Sequence, residues 1–407
     1  MSTLHDISEY VRSGETEKER LGLEIEHFVV DEKGTQITFQ EITELIERVG
    51  RKAGARLAHV DGYTVGYAND KYAVSLEPSC QFEISINPYS SLKEIEEAYR
   101  EFRSTWEPIF AEKGYHFVAK GNLPLVECDI ITPDEIPLSP KKRYEFMDAY
   151  FRTSGKYGKY MMRASASTQV SIDYKSEADL IRKLRLLEKI SPIVMIMMEN
   201  KSRENTALPG AADKTHLLRI QEWEDLDPAR TGFYPGSFEE DFGYEKIADV
   251  VYHTPLILMT ENDTSIYVGP MTAQDLLAEH VLSEEGVDEE RKIKRVEHFL
   301  SMGFFHFRIK KYIEIRVADS VPIEKALGYT AMLKGIVYSE NNLDILEREL
   351  TDINGLEEIQ DAVQKIERDG EQAVIYHNMT AAQWAAFLIG LAGNALPAHE
   401  KRYLGYV

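Results

Sequence analysis

At 407 residues, with 43% hydrophobic and 10% aromatic content, the chain has the composition of a globular protein able to bury a sizeable core, and it lacks the run of about 18 apolar residues that spans a bilayer. Its 47 basic against 69 acidic residues leave a formal charge of -22, which argues against nucleic acid or an anionic membrane as partner. Cys80 and Cys128 are too few for a disulfide framework and sit in no Cys/His spacing, which disfavours zinc, and the start lacks a basic-then-apolar signal, so the cytoplasm is the expected compartment.

Residues 4–13 and 38–53 carry helical periodicity, and LGLEIEHFVV between them reads as a strand ending in a turn. KYAVSLEP and QFEISINP alternate apolar and polar residues around a break at Pro78 to Cys80, and SLKEIEEAYREFRSTWEPIF follows as a long amphipathic helix. YMMRASASTQVSIDY reads as a further strand, and the helix after it takes Ser176 as its cap. Residues 201–237 form a long polar loop holding Arg203, Arg219 and Arg230, the composition of an active-site loop. Residues 252–268 predict a strand pair, KKYIEIRVAD is the last clear strand, and the pattern beyond Val321 is helical. The apolar stretches at 192–198 and 381–393 are short enough to be core helices. No repeat or linker interrupts the chain, so the expectation is one α+β domain over 1–407, a sheet with helices packed on one side and a mostly helical part from about 321.

The chemistry concentrates in glutamates placed on strands. Glu24 and Glu26, two residues apart, project from one face, with Leu23, Ile25 and Phe28 expected in the core and His27 on the opposite face, away from ligation. Taken alone, such a pair fits a half-exposed edge strand. Glu77 before the Pro78 break, Gln81 and Glu83 sharing the next strand's face, and Glu314 beside Arg316 make three acidic strand segments. Two carboxylates about 4 Å apart repel by on the order of 4 kcal/mol at an effective dielectric near 20, so their convergence calls for cations, and hard oxygen donors favour magnesium or manganese. Arg308, Lys310 and Lys311 lead into the Glu314 strand, which fits either a structural ion pair or neutralisation of a transferring phosphoryl group. No glycine-rich phosphate loop is present, so a nucleotide would be held by metals and basic side chains.

Together these segments resemble the glutamate cysteine ligases of the plant and proteobacterial type, relatives of glutamine synthetase among the carboxylate-amine ligases. GLEIE resembles the family's first metal-binding strand, EPSCQFEIS its EPGGQxELS, MMRASASTQVSIDY its MMxxTCTVQVNLDF, WEDLDPARTG its WxDTDxxRTG and FRIKKYIEIRVAD its VRLKxYLEVRGAD, in the same order. The resemblance implies a glutamine-synthetase-like, largely antiparallel curved sheet with helices on its outer side. It implies one magnesium on Glu26, Glu77 and Glu83 and a second on Glu24, Gln169 and Glu314, two or three ions in all, with manganese as a substitute. Arg308, Lys310 and Arg316 would meet the phosphates of ATP, and Arg219 and Arg230 would grip the amino-acid substrate and the phosphoryl intermediate. Of these, Arg316, Arg230 and Lys310 carry the implied catalytic role.

The implied reaction is ATP-dependent joining of L-glutamate to L-cysteine through γ-glutamyl phosphate, the first step of glutathione-type thiol synthesis, by a monomer or homodimer acting on small molecules only. Ser79 and Cys80 replace the family's glycine pair, ASAST replaces its TCT run and Val317 replaces a glycine, so a different amine acceptor is the alternative. The family's regulatory disulfide is not matched by Cys80 and Cys128. A guanidino phosphoryl transferase on the related fold, or a non-catalytic sensor, are the competing classes; the sensor has no need of all five glutamates.

Overall fold

The computed structural model describes residues 3–407 apart from 124, 126–131, 203–206, 262–263 and 285; Cys128 and Arg203 lie outside the described residues. In chain order the strands are β1 (Leu21–Asp31), β2 (Arg56–Val60), β3 (Tyr63–Ala68), β4 (Tyr72–Leu76), β5 (Phe82–Tyr89), β6 (Tyr115–Val118), β7 (Ser167–Ile172), β8 (Thr231–Gly232), β9 (Ile257–Glu261), β10 (Thr264–Gly269), β11 (Phe304–Phe305), β12 (Phe307–Ile309) and β13 (Ile313–Asp319). The helices are α1 (Thr3–Arg12), α2 (Phe39–Lys52), α3 (Leu92–Glu112), α4 (Lys142–Ser154), α5 (Gly158–Ala164), α6 (Glu177–Met197), α7 (Leu218–Glu224), α8 (Tyr244–Tyr252), α9 (Ala273–Ala278), α10 (Glu289–Ser301), α11 (Ile323–Val337), α12 (Glu340–Glu349), α13 (Leu356–Asp369) and α14 (Ala381–Ala395).

The main sheet runs β12-β13-β7-β1-β5-β4-β3-β2, with β6 pairing the far end of β1, and every pairing in it is antiparallel. β1 is therefore interior, not the edge strand that its alternation also allowed. Its Leu21, Leu23 and Ile25 are fully buried on one face, against a helical layer that includes α3. The sequence of α3 explains that layer: Ser91 caps its start, and Ile95, Tyr99, Phe102, Trp106 and Phe110 recur at three- and four-residue spacing to form one apolar stripe. Each such aromatic contributes roughly 1.5–3 kcal/mol by burial.

Several expectations need correction. Phe28 is buried, but parity puts it on the glutamate face, where it packs with Val30, Leu123 and Ile136 in a separate small cluster. In YMMRASASTQVSIDY only Ser167–Ile172 is strand, because Tyr160 to Ala164 complete α5. The polar stretch 201–237 contains the helix α7, whose Leu218 and Ile220 are buried. Helices also lie on both sides of the sheet. Tyr144 and Met147 of α4, Met161 of α5 and Trp223 of α7 form a second apolar cluster, and all four also border the cavity on the sheet's charged face. Ser176 does cap α6 by accepting from the Asp179 amide, the strand pair expected over 252–268 is present as β9 and β10 from Ile257 to Gly269 while Tyr252 ends α8, and no helix among the described residues is long and apolar enough to cross a membrane.

α6 also buries Glu188 completely, with the Tyr234 amide donating to it at 3.1 Å. Burial pushes its carboxyl from 4.5 up to about 8. A carboxyl raised in the fold binds its proton more tightly there than when unfolded, so its contribution is full below pH 4.5 and is lost as pH rises through about 8. Urea unfolding of Glu188→Gln is expected to show a variant that gains on the wild type between pH 5 and 8, by on the order of 4 kcal/mol at the upper end. A stability difference independent of pH contradicts this.

Candidate active site

The sheet face opposite the main helical layer carries a cluster of charge beside the small apolar patch around Phe28. Glu24 and Glu26 of β1 share it by parity, and antiparallel register supplies their neighbours: Gln169 of β7 stands opposite Glu24, Glu83 of β5 opposite Glu26, and Arg308 of β12 opposite Glu314 of β13. Glu77 comes from the turn between β4 and β5. That turn is braced by Gln81, whose side chain accepts from the Ser79 amide at 2.7 Å and donates to the Ser165 carbonyl at 3.0 Å. Lys141 and Tyr144 both donate to the Leu76 carbonyl, at 2.8 and 3.1 Å, tying the turn to the start of α4.

Cys80 occupies this turn with φ at +65°, a left-handed conformation that costs a non-glycine residue roughly 1–2 kcal/mol. Its side chain is buried among core residues. Cys80→Gly is expected to change unfolding free energy by less than about 1 kcal/mol, since the relieved strain offsets the lost burial. A loss above 3 kcal/mol in urea titration would mean that the thiol's packing dominates.

Glu24, Glu26, Glu77 and Glu83 line one cavity of about 370 Å³, together with Gln169, Arg308 and Arg316. Each of the four carboxyls is raised. Burial, then Glu83 and Glu314, lift Glu24 to about 8; burial and Glu83 lift Glu26 to about 7; burial and Glu77 lift Glu83 to about 7; burial and Glu26 raise Glu77. The array is fixed by neutral donors. Glu26 accepts from the Ser167 amide and hydroxyl at 2.7 and 2.9 Å and from the Gln169 side chain at 2.9 Å, while Ser75 and Ser85 donate to Glu83 at 3.0 and 2.8 Å.

Glu314 behaves oppositely. It is 1% exposed, and although burial pushes its carboxyl up, Arg308, Lys310 and Arg316 outweigh that and hold it below the usual range. Arg308 makes a bidentate pair with it, Lys310 lies 3.4 Å and Arg316 3.5 Å away, and Arg316 also donates to the Gln169 carbonyl oxygen at 2.7 Å. Glu314 and Lys310 lie behind the cavity wall rather than on it.

The other two predicted arginines stand further back. Arg219 is buried and donates to the Arg316 carbonyl at 3.0 Å, with its Nε and Nη1 unpartnered. Arg230 does not reach the cavity: fully buried, it donates to Asp227 at 2.7 Å and to the Met302 carbonyl at 3.0 Å, against the rings of Tyr150 and Phe151. Its place is that of a brace for the turn at 227–231. His27 is neutral and buried behind β1, and His306 meets Glu224 outside the cavity.

Sequence reasoning missed the roof. Arg143, Tyr144 and Trp223 line the cavity from α4 and α7. Arg143 sits in the basic run KKRYEFM and Trp223 opens the WEDLDPARTG motif, so both were visible as residues; which helix folds back over the sheet was not. Val317, expected to shape the pocket, points into the core.

Among the described residues no three His, Cys, Asp or Glu side chains stand in a closed ligating arrangement. The donor chemistry of Glu26, Glu77 and Glu83 still fits a hard divalent cation: three carboxylates border one cavity, each raised by another of the set, and a cation would relieve that repulsion. The set Glu24, Gln169 and Glu314 does not fit as it stands, because Arg308 engages both Glu314 oxygens and Arg316 engages the Gln169 oxygen.

A family model described as glutamate-cysteine ligase family 2 matches residues 20–388. The chain is 29% identical over 344 residues to a chloroplastic glutamate–cysteine ligase of Medicago truncatula, covering 84% of this chain and 66% of that protein, and 27% identical over 347 residues to that of Arabidopsis thaliana, covering 84% and 64%. It thus spans a little under two thirds of the length of these relatives. The solved glutamate–cysteine ligase of Francisella tularensis, in complex with AMP, superposes with a TM-score of 0.52 at 13% identity, covering 96% of this chain and 81% of that one, a likeness of fold.

Proposed function

The chain belongs to the glutamate-cysteine ligase family 2, and on that premise we propose that it is an ATP-dependent ligase joining L-glutamate to L-cysteine on a glutamine-synthetase-like scaffold, with residues 1–407 acting as one catalytic unit. The observation that carries the reading is the single cavity in which four carboxylates face Arg143, Arg308 and Arg316. A γ-carboxylate oxygen of glutamate attacks the γ-phosphorus of ATP, the bond to the β-phosphate breaks, and ADP leaves. The amine nitrogen then attacks the acyl carbon, loses its proton, and phosphate departs with the oxygen it took from glutamate.

In this scheme the polyphosphate lies against Arg308 and Arg316, with Lys310 behind them, where converging cations stabilise charge on the transferring group. Arg143 meets the same charge from the roof. Arg219, which donates to the Arg316 carbonyl, is a positioning residue for that strand. A divalent cation held by Glu26, Glu77 and Glu83 would supply the neutralisation that lets one anion attack another. No part is assigned to a second ion, since Glu314 is already neutralised by its own arginines.

The alternative acceptor rests on one feature. Ser165, from the stretch that departs from the family pattern, lines the cavity, whereas Ser79, Cys80 and Val317 do not. Incubating the protein with glutamate, ATP and magnesium beside cysteine and a panel of other amines, and weighing the products, should give ADP and γ-glutamylcysteine. A different γ-glutamyl product would replace the acceptor; ADP with none of the panel would overturn the ligase reading.

A further inference from the structure

A second cavity is larger than the carboxylate-lined one. About 620 Å³ of space lies on the reverse of the sheet, between α3, the start of α11 and the C-terminal turn. Tyr99, Phe117, Tyr403 and Tyr406 supply aromatic wall, between charged and aliphatic side chains. Its charges divide into satisfied and open groups. Glu96 is committed to Arg100 at 2.8 Å, to Arg402 at 3.2 Å and to the Tyr403 hydroxyl at 2.6 Å. Arg103 pairs with Glu107 through one Nη and lies over the Tyr99 and Phe117 rings at 5.9 and 5.2 Å, but its buried Nε has no partner. The Glu324 side chain borders the cavity from the first turn of α11.

We propose that this cavity is an effector site for a small zwitterion of dipeptide size carrying a flat apolar group, its carboxylate on Arg103, its ammonium on Glu324 and its ring among the tyrosines. The volume falls within the range of ordinary ligand pockets, and the Arg103 guanidinium, in a side chain 35% exposed at the cavity's edge, offers a carboxylate a positive charge beside aromatic rings. In the ligase reading glutamate, ATP, a divalent ion and the amine acceptor beside Ser165 all lie on the other face, which leaves this cavity to another molecule.

A hydrogen-bond chain connects this cavity to the opposite face. Arg103 Nη1 donates to the Tyr99 hydroxyl at 3.3 Å, that hydroxyl donates to His27 Nε2 at 2.9 Å, and His27 Nδ1 donates to the Phe82 carbonyl at 3.2 Å. His27 and Phe82 are register partners, and the next pair along the same two strands is Glu26 with Glu83. A carboxylate that draws on Arg103 therefore pulls on the strand pair that presents two of the four cavity carboxylates.

The test uses the dipeptide L-phenylalanyl-L-phenylalanine as probe, with isothermal titration calorimetry on the full chain and initial rates over a range of ATP. The expected result is saturable sub-millimolar binding, weakened at least tenfold in both Arg103→Met and Glu324→Gln, and a change of at least twofold in the KM for ATP that both variants lose. Absence of binding, or equal binding by wild type and Glu324→Gln, overturns the site; binding with an unchanged KM overturns its effector role. The calorimetric arm is independent of the ligase reading.

Discussion

Glu83→Gln is expected to lower turnover of glutamate and ATP by about 10³-fold while raising the melting temperature measured without added divalent cation. Both effects follow from one geometry. Glu83 faces Glu26 across the β1–β5 pair and lies beside Glu77, and burial with Glu77 already pushes its carboxyl up to about 7. Replacing it by an amide of the same shape removes one of several mutually repelling buried charges, and the Ser75 and Ser85 hydroxyls can turn to suit the new group. The same replacement removes a cation ligand, and a loss of metal-dependent charge neutralisation on this scale is several kcal/mol in the barrier. Steady-state rates at saturating magnesium and a thermal melt in chelator check the two halves. A variant with unchanged turnover removes Glu83 from the chemistry, and one that melts lower shows that the empty array is not repulsive.

Glu314→Ala is expected to lose activity as well, but with the reverse effect on stability, which falls. Glu314 is the shared counter-charge of Arg308, Lys310 and Arg316, and removing one partner from a buried ion network leaves the others uncompensated, at a cost of about 3–5 kcal/mol. Urea unfolding measures that loss. Inorganic tripolyphosphate, which offers negative charge to the same cations, should restore more of the lost stability to the variant than it adds to the wild type. If the variant unfolds like the wild type, the three cations are not held by Glu314; if tripolyphosphate stabilises both equally, it binds elsewhere.

The contrast between these two glutamates marks how far the sequence could be read. Parity alone placed Glu24 with Glu26, and Gln81 with Glu83, on shared faces, because a strand's period of two is a covalent property of the chain. The helix cap at Ser176 is equally local. What parity could not supply was register: that Glu83 faces Glu26, while Glu314 faces Arg308 instead of another acid, depends on which strands become neighbours. So the sequence leaves Glu314 open between a metal ligand and an ion pair with its basic neighbours, and in the fold it is the neutralised centre of a basic cluster. Arg230 shows the same limit. Its motif placed it near substrate, yet the turn that Asp227 and Met302 impose keeps it a brace behind Tyr150. The roof from α4 and α7 was illegible because long-range packing of Met147, Phe151 and Trp223, not local pattern, decides where those helices lie.

On the proposed reading, the carboxylate-lined cavity activates the γ-carboxyl of glutamate by moving a phosphoryl group onto it. Glutamate labelled with ¹⁸O in the γ-carboxylate, turned over with ATP, magnesium and cysteine, tests this by mass spectrometry of the released phosphate. One ¹⁸O should pass to inorganic phosphate for each γ-glutamylcysteine and each ADP formed; product formed with unlabelled phosphate would rule out phosphoryl activation of glutamate.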